Sequence, residues 1–192
     1  MGMQLSILIP SLESRTDMLA TLKADFFRQI IACNAIDDVE VLTEIDNGEM
    51  SIGTKRNILL SKASGKYLCF HDDDDAPAST YIEKIIKCIS SDCDNCSMTG
   101  VITWDGQNPE LFEHSIKYKE YKTNFTTSAI RYERYPNHLN VIKSSIAKQF
   151  KFPEISHGED TDWATQIFRS GLLKNETVIN GVLYHYDYNT NK

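Results

Sequence analysis

The chain has 192 residues, of which 41% are apolar and 24% charged, and it carries a formal net charge of −7. This composition is typical of a soluble globular domain and excludes a fibre or a disordered tract, while the negative charge argues against nonspecific nucleic-acid binding. No apolar run approaches the roughly 20 residues of a membrane helix, and the N-terminus lacks the basic region of a signal peptide. We therefore expect one cytoplasmic domain over residues 1–192 with no transmembrane segment, which leaves peripheral association with a membrane open.

Strands and helices alternate in the first half of the chain. Segments rich in apolar residues predict strands at Leu5–Ile9, Val39–Ile45 and Lys66–Phe70. Apolar side chains at every fourth position predict a helix over Thr16–Ala32. Strand–helix units repeated in this way imply parallel strands, whose carboxyl ends meet at the edge where ligands collect.

Capping residues indicate two further helices. Ser51 is placed to cap one that Gly65 stops. Thr80 and Glu83 have the spacing of a capping box, and the isoleucines that follow recur at helical positions: Ile82, Ile85, Ile86 and Ile89.

The second half of the sequence has a looser pattern. We expect a strand at Ser97–Trp104, a helix over Glu159–Ser170 and a last strand at Val178–His185, with residues 105–140 irregular. Residues 113–151 carry eight Lys and Arg against three Asp and Glu. This stretch is interpreted either as a surface for an anionic or sugar-like acceptor, or as a solvated loop. Its candidate contact residues are Lys117, Lys119, Lys122, Tyr118, Tyr121, Tyr132 and Tyr135.

The five cysteines are odd in number and irregularly spaced, unlike a secreted disulfide framework. Cys93 and Cys96 form one C-x-x-C, with Cys88 nearby, which is a weak zinc signal without a second pair. We expect reduced thiols near a helix end, with a structural metal as the alternative.

Four consecutive aspartates, Asp72–Asp75, follow the third strand. Two unit charges about 4 Å apart repel by about 4 kcal/mol at an effective dielectric constant of about 20. The cluster therefore favours a bound cation or proton over the alternative of a solvated turn, and oxygen ligands favour Mg²⁺ or Mn²⁺. An EF-hand is excluded because Ala76 and Pro77 occupy positions that need an oxygen ligand and a glycine. The chain has neither a P-loop nor a dinucleotide-binding motif.

Five motifs follow one another in an order that is similar to the GT-A fold glycosyltransferases of family 2. They are Pro10-Ser11 with Arg15, Asp46-Asn47-Gly48, Gly53-Thr54-Lys55-Arg56-Asn57, Phe70-His71-Asp72-Asp73-Asp74-Asp75 and Gly158-Glu159-Asp160-Thr161-Asp162-Trp163. The resemblance implies a single α/β domain whose Rossmann-like, mostly parallel central sheet is flanked by helices. Residues 1–100 would form the nucleotide-binding half and residues 101–192 the acceptor-binding half.

The resemblance also implies roles for individual residues. The donor nucleotide would be held by Pro10, Ser11, Arg15, Asp46, Lys55, Arg56, Asp72 and Asp73. A Mn²⁺ or Mg²⁺ ion would be held by Asp72, Asp74 and His185, and Asp160 would act as the catalytic base beside Glu159. Two positions depart from the family pattern: Leu12 replaces a tyrosine, and His71 replaces an apolar residue.

The implied function is that of an inverting, metal-dependent hexosyltransferase of polysaccharide biosynthesis. It would move a sugar from a nucleotide-diphosphate sugar, with UDP-sugar favoured, to a hydroxyl of a glycan or lipid-linked acceptor. Such a hydroxyl is a poor nucleophile at neutral pH, so a carboxylate must take its proton. Two alternatives stay open: a sugar nucleotidyltransferase, although residues 11–16 lack its glycine-rich loop, and an inactive GT-A-like domain that binds a glycan or a protein.

Overall fold

Two six-stranded sheets organise the chain in the computed structural model, which describes residues 2–125 and 128–188. The strands are β1 (Leu5–Leu12), β2 (Val39–Asp46), β3 (Tyr67–Phe70), β4 (Ala76–Pro77), β5 (Asn95–Cys96), β6 (Met98–Trp104), β7 (Gln107–His114), β8 (Lys122–Thr123), β9 (Ile130–Arg134), β10 (Ile142–Lys143), β11 (Glu176–Thr177) and β12 (Tyr184–Tyr188). The helices are α1 (Thr16–Ala32), α2 (Ile52–Lys62), α3 (Tyr81–Ile89), α4 (Ser144–Ala147) and α5 (Glu159–Ser170).

The first sheet has the strand order β11-β5-β10-β3-β1-β2. Strand β1, next to the edge strand β2, pairs in parallel with both neighbours, with Leu5 opposite Val39 on one side and Tyr67 on the other. This confirms the predicted parallel arrangement of the first three strands. Their carboxyl ends therefore open at one edge, where the chain leaves β1 at Leu12, β2 at Asp46 and β3 at Phe70.

Helices α1 and α5 have the predicted bounds, because both have a continuous apolar stripe that packs on a sheet. The Ser51 side chain accepts a hydrogen bond from the Thr54 N–H, which confirms the predicted cap of α2. The predicted capping box of α3 is wrong. Thr80 has φ −110° and ψ 17°, a bridge-region conformation in which its side chain makes no capping bond.

The second sheet has the strand order β4-β12-β6-β7-β9-β8 and corrects two predictions. Residues 105–140 are not irregular throughout, because β7 and β9 lie within them. The start of β7, Gln107-Asn108-Pro109, has little intrinsic strand preference and is recruited by pairing with β6. The last strand begins at Tyr184 rather than Val178, since Gly181 has a positive φ of +87° and interrupts the extended chain.

The core lies on both faces of the first sheet. One cluster packs α1 and α3 against it, with Phe26, Tyr81 and Ile85 fully buried. The other cluster holds α2 and α5 against the opposite face. In that cluster the rings of Phe152 and Trp163 stack with centroids 4.7 Å apart, which fixes the start of α5 beside the carboxyl edge of the sheet. Among the described residues, no helix is both long and apolar enough to cross a membrane.

The cysteine prediction is wrong for two of the residues concerned. Cys88, at the end of α3, and Cys96, in β5, are joined in a disulfide, because packing of α3 against β5 brings their Cα atoms to 6.4 Å. Cys93 stays free and buried, with its Sγ 3.8 Å from that of Cys96. The alternative of a structural metal at these three cysteines has no support beyond their proximity.

Gly53 allows α2 to approach the segment that precedes α5. A Cβ atom at this position would lie 1.9 Å from the Pro153 carbonyl oxygen, and the Gly53 N–H donates to the Ile155 carbonyl at 3.0 Å. We expect Gly53→Ala to lower the free energy of unfolding by about 1–3 kcal/mol, because the backbone must move apart. Urea unfolding measures this loss. Gly2→Ala, where a Cβ meets nothing within 4 Å, is the control, and equal stability of the two variants would contradict the close approach.

Candidate active site

The residues predicted for the site meet at the carboxyl edge of β1, β2 and β3. Ser11 and Asp46 lie near the ends of their strands, and the aspartates follow β3 directly. Pro10 is buried within β1, next to Ser11. Helix α2 supplies Lys55 and Arg56 from one side, and the first turn of α5 supplies Glu159 and Asp160 from the other.

Lys55 and Asp46 form a buried ion pair at one end of this edge. The Lys55 Nζ also donates to the Ser11 carbonyl at 2.7 Å, and the Met50 N–H donates to Asp46 at 2.6 Å. The hydrogen bond from Lys55, and then that from Met50, lower the pKa of Asp46 to about 2. Asp46 is therefore ionised, and the loop after β2 is held against β1.

Asp73 is held by two partners. Ser11 Oγ donates to one carboxylate oxygen at 2.6 Å, and Arg15 Nη1 donates to the other at 2.7 Å. The same guanidinium lies 3.3 Å from Asp74. Because both oxygens of the buried Asp73 are engaged, this residue anchors the acidic loop to the start of α1. Asp74 keeps 20% of its side chain exposed.

Arg56 connects the acidic loop to α5. Its guanidinium donates to Asp72 at 3.0 Å and lies 3.4 Å from Glu159, and it packs over the rings of Phe70 and Phe152. Burial opposes the ionisation of Asp72, but the charge of Arg56, together with the contact to His138, outweighs it and lowers the pKa of this carboxyl. Glu159 is 4% exposed, so its carboxylate is part of the framework.

Asp75 differs from the other three aspartates. Burial, followed by the charge of Asp72, raises its pKa to about 8. Its Oδ2 accepts from the Tyr184 hydroxyl at 2.6 Å. The loop thus keeps four carboxyls together by pairing Asp72 and Asp73 with arginines and by retaining a proton on Asp75.

His138 lies between the two groups of acids, and sequence reasoning missed it. One ring nitrogen, Nε2, is 3.6 Å from Asp72, and the other, Nδ1, is 3.5 Å from Asp160. The backbone places it there, because the His138 carbonyl accepts from the Phe70 N–H at 2.9 Å. This contact joins residues far apart in sequence, so no local signal identifies it.

The Asp160 side chain lines a cavity of about 320 Å³ between the two sheets. The Thr161 N–H donates to Asp160 Oδ1 at 2.7 Å, which leaves Oδ2 facing His138. Asp72 and Asp75 also line this cavity, and so do Tyr121, which precedes β8, Tyr132 of β9 and Tyr186 of β12. A hydroxyl group bound in this cavity would therefore meet an ionisable oxygen at the N-terminus of a helix.

His185 lies on β12 opposite Ala76, the residue that follows the acidic loop, and its side chain is exposed. Its neighbours on the strand are Tyr184, whose hydroxyl contacts Asp75, and Tyr186, which lines the cavity. Because successive side chains of a strand point to opposite faces, His185 lies on the face opposite to these two tyrosines. Its role as a metal ligand stays a prediction.

Comparison with known proteins identifies the family of this chain. The profile of glycosyl transferase family 2 matches residues 25–155, and the chain belongs to that family. A sequence comparison with curated proteins gives no match.

Solved structures share the fold at low sequence identity. Staphylococcus aureus TarS 1–349 in complex with UDP-GlcNAc has a TM-score of 0.64 at 15% identity, over 96% of this chain and 58% of that one. The complex of the same TarS fragment with UDP has a TM-score of 0.65 at 16% identity, over 96% of this chain and 60% of that one. The catalytic domain of Drosophila β1,4-galactosyltransferase 7 in complex with xylobiose has a TM-score of 0.55 at 12% identity, over 93% of this chain and 66% of that one. The chain thus spans about three fifths of the TarS chains, and these likenesses establish the GT-A fold.

Proposed function

We propose that this domain is an inverting glycosyltransferase that transfers a sugar from a UDP-sugar to a hydroxyl of a glycan or lipid-linked acceptor. The observation that carries the proposal is the placement of Asp160. Its carboxylate faces the cavity and is separated from Asp72 of the acidic loop by the single imidazole ring of His138. A proton acceptor and the proposed donor-binding loop therefore face the same space.

The donor would bind along the carboxyl edge of the first sheet. Support comes from the family and from the TarS structures, which hold UDP and UDP-GlcNAc. In this chain the edge offers a rigid frame, since Lys55 fixes the loop after β2 and Arg15 fixes Asp73. We assign residues 1–100 to the nucleotide and residues 101–192 to the acceptor.

Asp72 and Asp74 fit a hard divalent cation, Mn²⁺ or Mg²⁺. They offer only oxygen ligands, and 34% and 20% of their side chains are exposed, so an ion could reach them. When bound, such an ion would stabilise the negative charge of a leaving diphosphate. Arg56 holds Asp72 in place for this role, and Arg15 holds the preceding loop residue, Asp73.

Asp160 would take the proton of the acceptor hydroxyl as that oxygen attacks the sugar carbon. The carboxylate lies at the N-terminus of α5, where the partial positive charge of the helix attracts it. Glu159 is unsuited to this task because Arg56 holds it in the framework. One displacement assisted by one base inverts the configuration at the sugar carbon.

A thermal-shift panel tests the donor assignment. The melting temperature would be measured with UDP, GDP, CDP and ADP and with UDP-sugars, each with and without Mn²⁺. A ligand at about 100 times its dissociation constant stabilises a protein by about 2.7 kcal/mol, which raises the melting temperature clearly. We expect this rise with a uridine nucleotide and only when Mn²⁺ is present. The absence of a shift with every nucleotide, in folded protein, would favour an inactive domain that binds only a glycan or a protein.

A further inference from the structure

Most of the Lys and Arg side chains in residues 113–151 lie outside the cavity. Lys117 pairs with Glu113 at 2.8 Å, Arg131 with Glu110 at 3.3 Å and Lys122 with Glu133 at 4.0 Å. Lys119 donates to a backbone carbonyl, that of Ile116. None of these cations is among the described residues that line the cavity. The three lysines expected at the acceptor surface therefore lie outside the cavity.

Arg134 is the exception, because it lies at the end of β9 and lines the cavity. Its guanidinium carbon is 4.5 Å from the ring centre of Tyr121 and 5.9 Å from that of Tyr132. Within residues 2–125 and 128–188, no carboxylate lies within ion-pair distance of it. A guanidinium packed against aromatic rings can still donate its N–H groups to a planar or tetrahedral oxyanion.

Besides Arg134, the cavity is lined by His114 and His138 and by the carboxyl groups of Asp72, Asp75 and Asp160. His114, opposite Arg134 in the β7–β9 register, is fully buried, and this burial, followed by the charge of Arg134, lowers its pKa to about 3. His114 is thus neutral at physiological pH. The Tyr121 ring packs against Arg134 and lines the same cavity as Asp160. An acceptor between Asp160 and Arg134 would lie along the Tyr121 ring.

We propose that Arg134 binds an anionic group, phosphate or carboxylate, on the acceptor, so that the acceptor is an anionic sugar or polyol. This inference rests on the proposed function in that the bound molecule is the acceptor of a glycosyl transfer. The aromatic wall would contact the ring or chain of the acceptor, Arg134 would bind its charge, and Asp160 would face its reacting hydroxyl. The proposed contacts of the donor belong to the first sheet and the loops that follow its strands, whereas Arg134 belongs to the second sheet.

The test compares neutral and anionic probes of matched shape. Binding of methyl β-glucoside and methyl β-glucuronide, and of glycerol and glycerol 3-phosphate, would be measured by NMR titration of the full chain. The anionic member of each pair should bind at least about tenfold more tightly, since one charge-assisted pair is worth about that much. Whichever pair shows the larger preference distinguishes carboxylate from phosphate.

Variants locate the effect. Arg134→Gln should remove the preference for the anionic probes and leave the affinity for UDP with Mn²⁺, measured by calorimetry, unchanged. Lys122→Gln removes the same charge from the adjacent strand β8, outside the cavity, and should retain the preference. Absence of a preference in the unaltered protein, or its survival in Arg134→Gln, would overturn the inference. Weaker UDP binding by Arg134→Gln would overturn it too, because Arg134 would then contact the donor. The UDP titration itself reports separately on the proposed function.

Discussion

Asp160→Asn should reduce glycosyl transfer by about 10²–10⁴-fold, the usual contribution of a positioned general base. The amide is nearly isosteric with the carboxylate but cannot take a proton from an acceptor hydroxyl. Its carbonyl oxygen can still accept the hydrogen bond from the Thr161 N–H, so the first turn of α5 should keep its structure. UDP release from UDP-GlcNAc, or from the donor that the thermal-shift panel selects, measures the rate.

A matched control lies two residues away. Asp162 is in the same helical turn but is exposed. Its carboxylate accepts a hydrogen bond from the Gln166 side chain outside the cavity. Asp162→Asn removes the same charge near the same helix terminus and should leave the rate within about twofold, because surface substitutions away from a site have small effects. Donor affinity should be unchanged in both variants. Equal activity of Asp160→Asn and the unaltered protein would remove Asp160 from the proposed mechanism.

The elements that sequence reasoning predicted well are those whose stability is encoded locally. Helix α5 contains Trp163, Ala164 and Ile167 at helical spacing, and all three are buried. Strand β1 is apolar because both of its faces are covered. The strands of the second sheet were harder to predict, since β7 is formed by pairing with β6 and β9 and not by its own composition.

The candidate site also has a part that could be predicted from the sequence and a part that could not. Residues at the ends of β1, β2 and β3 could be grouped from the order of the strands alone, and the structure brings them together. Their partners could not be assigned, because the pairing of Asp73 with Arg15 and of Asp72 with Arg56 depends on where α1 and α2 pack. His138 is positioned by a backbone hydrogen bond to the end of β3, which no spacing rule contains.

Asp74→Asn should abolish the Mn²⁺-dependent part of UDP binding, because it removes one of the two carboxylates proposed to hold the ion. For the unaltered protein, nucleotide at about 100 times its dissociation constant should stabilise the fold by about 2.7 kcal/mol when Mn²⁺ is present. In the variant, the melting temperature with UDP should be the same with and without Mn²⁺. Calorimetry of UDP binding under both conditions gives the affinities directly.

The neighbouring residue provides the contrast that makes this prediction specific. Asp73→Asn is the same chemical change one position earlier, but Asp73 is buried between Ser11 and Arg15 and is not a proposed metal ligand. It should lower the free energy of unfolding by about 1–3 kcal/mol, the cost of weakening hydrogen bonds to a charged group. The folded fraction should still respond to Mn²⁺. If Asp74→Asn retains the Mn²⁺ effect and Asp73→Asn loses it, the roles of the two aspartates are reversed. If both retain it, the acidic loop does not bind the ion, and the contacts with Ser11, Arg15, Arg56 and Tyr184 hold its carboxyls without one.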